Sequence, residues 1–223
     1  MSSPIKLVIF DCDGTLVDSL AGIAKVMNLA MGAVGLNSNL SSHVVGQVVG
    51  LSLAIAIETL IPHTDQATKD AVLIEYKRQY AILADSGSVS PPLFPGVRET
   101  LDGLQRQSIV LAMATGKSRA GVQRNIRELN LEGYFQVIRT ADCAPSKPNP
   151  EMVMQILTET GIDKSEAMII GDTDYDIEMG HNAGILTCAV TFGCHSKERL
   201  AASNPHHWLD KLEDVFSLTE VFD

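Results

Sequence analysis

The sequence predicts an α/β protein, with a mainly parallel sheet and a small helical domain inserted after the first strand. Three observations predict it. Short apolar, β-branched runs alternate with helical patterns between Ile109 and Val190, which is the signature of right-handed βαβ crossovers. A further such run, Leu7-Val8-Ile9-Phe10, stands far upstream of the others. The stretch between Asp18 and about Ser90 carries helical patterns and no convincing strand.

In chain order, the first strand ends in Asp11-Cys12-Asp13-Gly14-Thr15, where Gly14-Thr15 turns the chain toward a helical region beginning near Asp18. Helical spacing then predicts Leu20 to Val34, His43 to Leu60 and Thr68 to Leu83. Ser86 to Pro95, with Gly87, Pro91, Pro92 and Pro95, reads as a hinge back to the sheet. The expected domains are therefore residues 1–17 with 92–223, and an insert at 18–91. Further strands are expected at Ile109 to Ala114, Phe135 to Ile138, Ala167 to Ile170 and Ile185 to Val190. Between them, Ser118 to Leu129 places Val122, Ile126 and Leu129 at helical spacing. Asn149 to Thr160 opens with Asn149 as N-cap and Pro150 at the first helical position, and Gly161 closes it. Thr173 to Ala183 ends at Gly184, a left-handed cap. His206 to Leu209 is expected as an edge strand and Leu212 to Phe222 as a last amphipathic helix.

The chain has 223 residues, 45% hydrophobic and 20% charged, with a formal net charge of -10. That balance argues against a nucleic-acid or anionic-membrane partner, both of which call for basic surfaces. No apolar run is long enough to span a bilayer. Met1 to Lys6 leads straight into the first strand with no signal-peptide pattern, and Cys12, Cys143, Cys188 and Cys194 form no CxxC pair. Reduced thiols in a cytoplasmic protein are the expectation.

The chemistry concentrates at strand ends. Asp11 and Asp13 lie two residues apart, and like charges this close disfavour each other's ionisation unless a divalent cation joins them. Three more polar segments follow apolar runs or precede helices: Thr115-Gly116-Lys117, Ser146-Lys147-Pro148-Asn149, and Gly171-Asp172-Thr173-Asp174-Tyr175-Asp176. In a parallel sheet such ends converge on one side. His206 and His207 are adjacent and point to opposite faces of a strand, so they make no competing metal site.

These motifs, in this order, resemble the haloacid dehalogenase superfamily, and within it the phosphatases with a helical cap after the first strand, of which phosphoglycolate phosphatases are familiar members. The resemblance spans nearly the whole chain and implies a Rossmann-like core. It implies that Asp11 is the nucleophile, forming an aspartyl-phosphate, and that Asp13 serves as general acid and then base. It implies Mg²⁺ held by the Asp11 carboxylate, the Asp13 backbone carbonyl and the Asp172 carboxylate, with Asp176 behind them. Thr115 and the Gly116 N–H would bind phosphoryl oxygens, and Lys147 would neutralise nucleophile and phosphate. The implied partner is a small phosphorylated metabolite, turned over by a monomer or homodimer. Between Asp18 and Ser90 only Lys25, Lys69, Lys77 and Arg78 are basic, and the loop Gly46 to Ser52 has no cation, so the resemblance does not choose the ester. Lys117 and Arg119 offer positive charge from the core side. The enzymatic alternative is a sugar-phosphate mutase of the β-phosphoglucomutase kind, whose members tend to carry an acid where Gly171 stands. A module that accepts or binds phosphate without turnover is the alternative of another class.

Overall fold

The computed structural model describes residues 4–219. Among them, six strands form one all-parallel sheet in the order β3-β2-β1-β4-β5-β6. They are β1 (Leu7–Phe10), β2 (Val110–Ala114), β3 (Val137–Arg139), β4 (Ala167–Gly171), β5 (Leu186–Val190) and β6 (His207–Leu209). Phe10, the last residue of β1, lies opposite Met113 of β2 and Ile170 of β4, so the three motifs that follow these residues emerge together.

β1 is buried on both faces, and its alternating side chains feed two separate cores. Val8 and Phe10 pack with α5 (Val97–Arg106) and α6 (Arg119–Glu128). Leu7 and Ile9 pack with α7 (Glu151–Thr160) and α8 (Asp174–Ala183). A short α9 (Lys197–Ala202) brings Leu200 against Ile177, Ala189 and Trp208.

Between β1 and α5 come α1 (Leu20–Ala33), α2 (Ser42–Gly46), α3 (Leu53–Leu60) and α4 (Gln66–Asp85). They share an apolar cluster of their own, built on Met27, Ala30, Met31, Ile57 and Val72. The chain leaves and rejoins the sheet side by side. Val17 bridges Leu93, the Asp18 N–H donates to the Pro92 carbonyl at 2.9 Å, and the Phe94 N–H donates to the Leu16 carbonyl at 3.0 Å. Among the described residues, no helix is long and apolar enough to cross a membrane.

Several elements differ from expectation. His43 to Leu60 is two helices, because Gly50 takes a left-handed φ of 94° and Ser52 is extended as the N-cap of α3. α7 starts one residue late, with Pro150 at the N-cap; the Asn149 side chain still caps, accepting from the Glu151 N–H at 3.0 Å. The expected last helix is a 3-10 turn, Leu212–Val215, followed by α10 (Phe216–Thr219), and the remainder of that expectation lies outside the described residues. α5 and α9 were not anticipated. Gly184 is a left-handed cap as expected, with φ of 75°, and Gly161 closes α7 in the same conformation at 67°.

Candidate active site

The Asp11 backbone extends the ladder of β1, its N–H donating to the Ile170 carbonyl at 3.0 Å, and its side chain is buried. Lys147, also buried, donates from Nζ to Asp11 Oδ1 at 2.6 Å and to Asp176 Oδ1 at 2.5 Å. The second oxygen, Asp11 Oδ2, is buried without a hydrogen-bond partner.

Asp172 follows β4 and is held rigidly. Thr15 Oγ1 donates to its Oδ1 at 2.9 Å, and the Cys194 N–H donates to its Oδ2 at 2.8 Å. Two glycines make room for it: a Cβ on Gly14, whose φ is 92°, would stand 2.1 Å from Asp172 Oδ2, and one on Gly193 would stand 2.1 Å from its Cβ. Asp176 caps its own helix, its Oδ2 accepting from the Thr173 N–H at 3.1 Å and the Thr173 hydroxyl at 2.7 Å.

Asp11, Asp172 and Asp176 each offer an oxygen within 4.8 Å of the others. Three buried carboxylates against one ammonium leave an excess of negative charge, and all donors are hard oxygens. With Asp11 Oδ2 lacking any partner, this is a set that fits a divalent cation of the Mg²⁺ type. Without such an ion, Asp11 is pushed up to about 8, by burial first; Lys147 opposes the rise, and the Asp176 and Asp172 charges add to it. Asp172 is pushed up to about 6 by burial and then by Asp176. The ammonium of Lys147 rises above its ordinary value even though burial works against it, because Asp11 and Asp176 flank it.

The Asp13 side chain turns to the other side, where Lys117 Nζ lies 2.8 and 2.9 Å from its two carboxylate oxygens. Thr115 is buried beside it, and the Lys117 N–H donates to Thr115 Oγ1 at 3.3 Å. Gly116 lies directly under the turn between α2 and α3, where a Cβ would meet the Gly50 and Leu51 carbonyls at 2.4 Å. A cavity of about 820 Å³ opens here, lined by Asp11, Asp13, Thr115, Gly116 and Lys117 from the sheet side and by Ile23, Val48, Leu51, Tyr76 and Tyr80 from the helical insert.

The same turn is pinned at its far end. Tyr175 Oη donates to the Gln47 carbonyl at 3.0 Å, and Arg199 Nη1 donates to Gln47 Oε1 at 2.6 Å. Arg199 in turn grips Asp174 through Nε at 2.6 Å and Nη2 at 3.1 Å. Nearby, the Ser52 N–H donates to Ser146 Oγ at 2.9 Å.

The structure thus brings Asp11, Lys147, Asp172 and Asp176 into one buried cluster and lines one cavity with Asp11, Asp13, Thr115 and Gly116. Sequence reasoning gave no role to Thr15, the Cys194 amide, Gln47 or Arg199. Thr15 lay inside a motif and was open to notice; a backbone amide and two partners remote in sequence carry no residue-type signal.

The family model for haloacid dehalogenase-like hydrolases matches residues 8–190. The probable phosphatase IndB of Dickeya dadantii (strain 3937) is 33% identical over 215 residues, covering 94% of this chain and 91% of that protein. A phosphoglycolate phosphatase of Vibrio parahaemolyticus is 29% identical over 224 residues, covering 97% of each. The crystal structure described as a predicted phosphoglycolate phosphatase from Haemophilus somnus 129PT has a TM-score of 0.83 at 25% identity, covering 99% of this chain and 100% of that one. Sequence match, fold and the cluster at the end of β1 lead to one conclusion: the chain belongs to the haloacid dehalogenase-like hydrolase family.

Proposed function

We propose that the protein is a Mg²⁺-dependent phosphatase of small phosphomonoesters, working through a phosphorylated Asp11. The observation that carries this reading is the asymmetry of the Asp11 carboxylate. One oxygen is fixed by Lys147 while the other is buried and unpartnered, and the residue lines the cavity. Asp11 attacks phosphorus in line; the bond to the alcohol oxygen breaks, and Asp13 gives that oxygen its proton. Asp13 then takes a proton from water as it attacks the aspartyl-phosphate, releasing phosphate and restoring Asp11. Thr115 Oγ1 and the Gly116 N–H bind the phosphoryl oxygens, and Lys147 offsets charge that builds on them.

A divalent cation would be held by the carboxylates of Asp11 and Asp172 and the carbonyl of Asp13, and would supply further charge neutralisation. Asp176 accepts from Lys147 and from Thr173 at the start of its own helix, and we assign it an orienting role behind the ligands. We assign residues 18–91 as a cap domain over a core formed by 1–17 and 92–223, and the cap's own apolar cluster supports this division. A cytoplasmic enzyme, monomeric or homodimeric, is the matching setting, and all four cysteines are free thiols. At Gly171 a Cβ would stand 2.2 Å from Asp176 Cγ, which leaves no room for the acid mutases tend to carry there.

The test is inorganic phosphate release from a panel of small esters, with Mg²⁺, with chelator, and with Asp11→Asn protein. Release that needs both Mg²⁺ and Asp11 is expected. Conversion of one sugar phosphate to another without phosphate release would instead establish a mutase.

A further inference from the structure

The cavity of about 820 Å³ holds one cation that is both buried and directed at the reacting end. Lys117 has a side chain only 10% exposed, with Nζ on both oxygens of Asp13. Its placement is built. The stem lies along Gly121, where a Cβ would come within 3.0 Å of Lys117 Cγ, and the ammonium stands 5.6 Å from the centroid of the Tyr80 ring on α4. Burial works against its charge, and Asp13 more than offsets this, so it stays an ammonium. The other buried ammonium at the site, Lys147, is committed to Asp11 and Asp176. The remaining cations of the lining stand further out: Lys77 and Arg119 are exposed, and Arg124 is paired with Asp85 at 2.7 Å.

Both oxygens of the Asp13 carboxylate face Lys117, so the ammonium competes with an incoming ester for them. A substrate whose alcohol carries its own anion resolves this, because that anion can replace Asp13 as the partner of Lys117. We infer that Lys117 is a specificity-determining residue that binds an anionic group, carboxylate or phosphate, on the alcohol portion of the substrate. The Asp13 carboxylate marks where and how that anion sits. Among the described residues that line the cavity, the helical insert offers apolar walls from Ile23, Val48 and Leu51 and no buried cation, so Lys117 selects small anionic esters over neutral ones. This inference rests on the phosphatase reading above.

The experiment compares three matched esters of a two-carbon alcohol: phosphoglycolate, the neutral 2-hydroxyethyl phosphate, and ethanediol bisphosphate. The native enzyme is expected to favour at least one charged ester over the neutral one by about tenfold to a hundredfold in kcat/KM, the worth of one charge-assisted hydrogen bond. The favoured ester tells whether the anion is a carboxylate or a phosphate. In Lys117→Met that ratio is expected to collapse to within about threefold, with the loss concentrated in KM, and Lys117→Arg is expected to recover part of it. A ratio within one protein is insensitive to the fraction folded, so a purely structural role for Lys117 would leave it unchanged. An unchanged ratio in Lys117→Met, or a native enzyme indifferent to charge, overturns the inference while leaving the phosphatase reading intact. Native enzyme that releases phosphate from none of the three esters overturns both.

Discussion

Lys147 decides the charge balance at the level of single residues. Its ammonium, fully buried, sits between two buried carboxylates, and removing it would leave both without their cation. Lys147→Met is therefore expected to destabilise the protein by about 3–5 kcal/mol, read as a lowered midpoint in urea denaturation. Added Mg²⁺ should recover part of the loss, since it supplies positive charge to the same oxygens; a midpoint equal to that of the native protein would refute this account. Gly14 is the second sensitive point, because its φ of 92° and its approach to Asp172 both forbid a side chain. Gly14→Ala should weaken Mg²⁺ affinity by a larger factor than it lowers the urea midpoint, as measured by metal titration of the two proteins. At this scale the carboxylates were legible from sequence because they cluster within a few residues of the ends of apolar runs. The link from Thr15 to Asp172, across 157 positions, was not, since a threonine in a turn has many local uses.

Among the elements, the turn between α2 and α3 matters most. It presses its carbonyls on Gly116 and is pinned to the core through Gln47, Tyr175 and Arg199. Loops set over a site on a few polar contacts open and close more readily than the packed core. Arg199→Ala, which cuts two grips at once, should raise KM severalfold with a smaller change in kcat. It should also speed amide exchange in residues 46–52; exchange at the native rate there would show that the pins do no holding. The break itself was invisible in the sequence, because the apolar spacing of His43 to Leu60 continues through Gly50, and a single left-handed glycine overrides a pattern that otherwise fits one helix. α5 escaped notice for a related reason. It starts at once after a proline-rich loop, and Gly96, which reads as loop, is its left-handed N-cap at φ 77°.

For the whole molecule, the buried acids link stability to pH and metal. Asp11 at about 8 and Asp172 at about 6, both raised chiefly by burial, lie above their ordinary value of 3.8. Between that value and about 8 the metal-free folded state binds more protons than the unfolded chain, so its stability falls as pH rises through the window. A cation binds the deprotonated carboxylates and must displace those protons. The gain in melting temperature on adding millimolar Mg²⁺ should therefore be larger at pH 8 than at pH 6. A gain that is constant or shrinks with pH would mean that the metal does not use these acids. The parallel sheet and the helical insert were readable from sequence because period and punctuation change at Asp18 and again near Pro95. The strand order was not, since nothing local in β1 specifies β2 and β4 as its neighbours.

That strand order governs how the molecule comes into being. β1 leaves the ribosome ahead of the other described strands, yet its partners begin at Val110 and Ala167, so it waits through the synthesis of the whole helical insert before it can be paired on both sides. A nascent chain that stops short of β4 carries Asp11 but lacks Asp172 and Asp176, and β1 has an open edge. Long-range parallel pairing of this kind is slow to form. The residue that would do the chemistry is made long before the carboxylates it works with, and waits for the strand that covers the second side of its own.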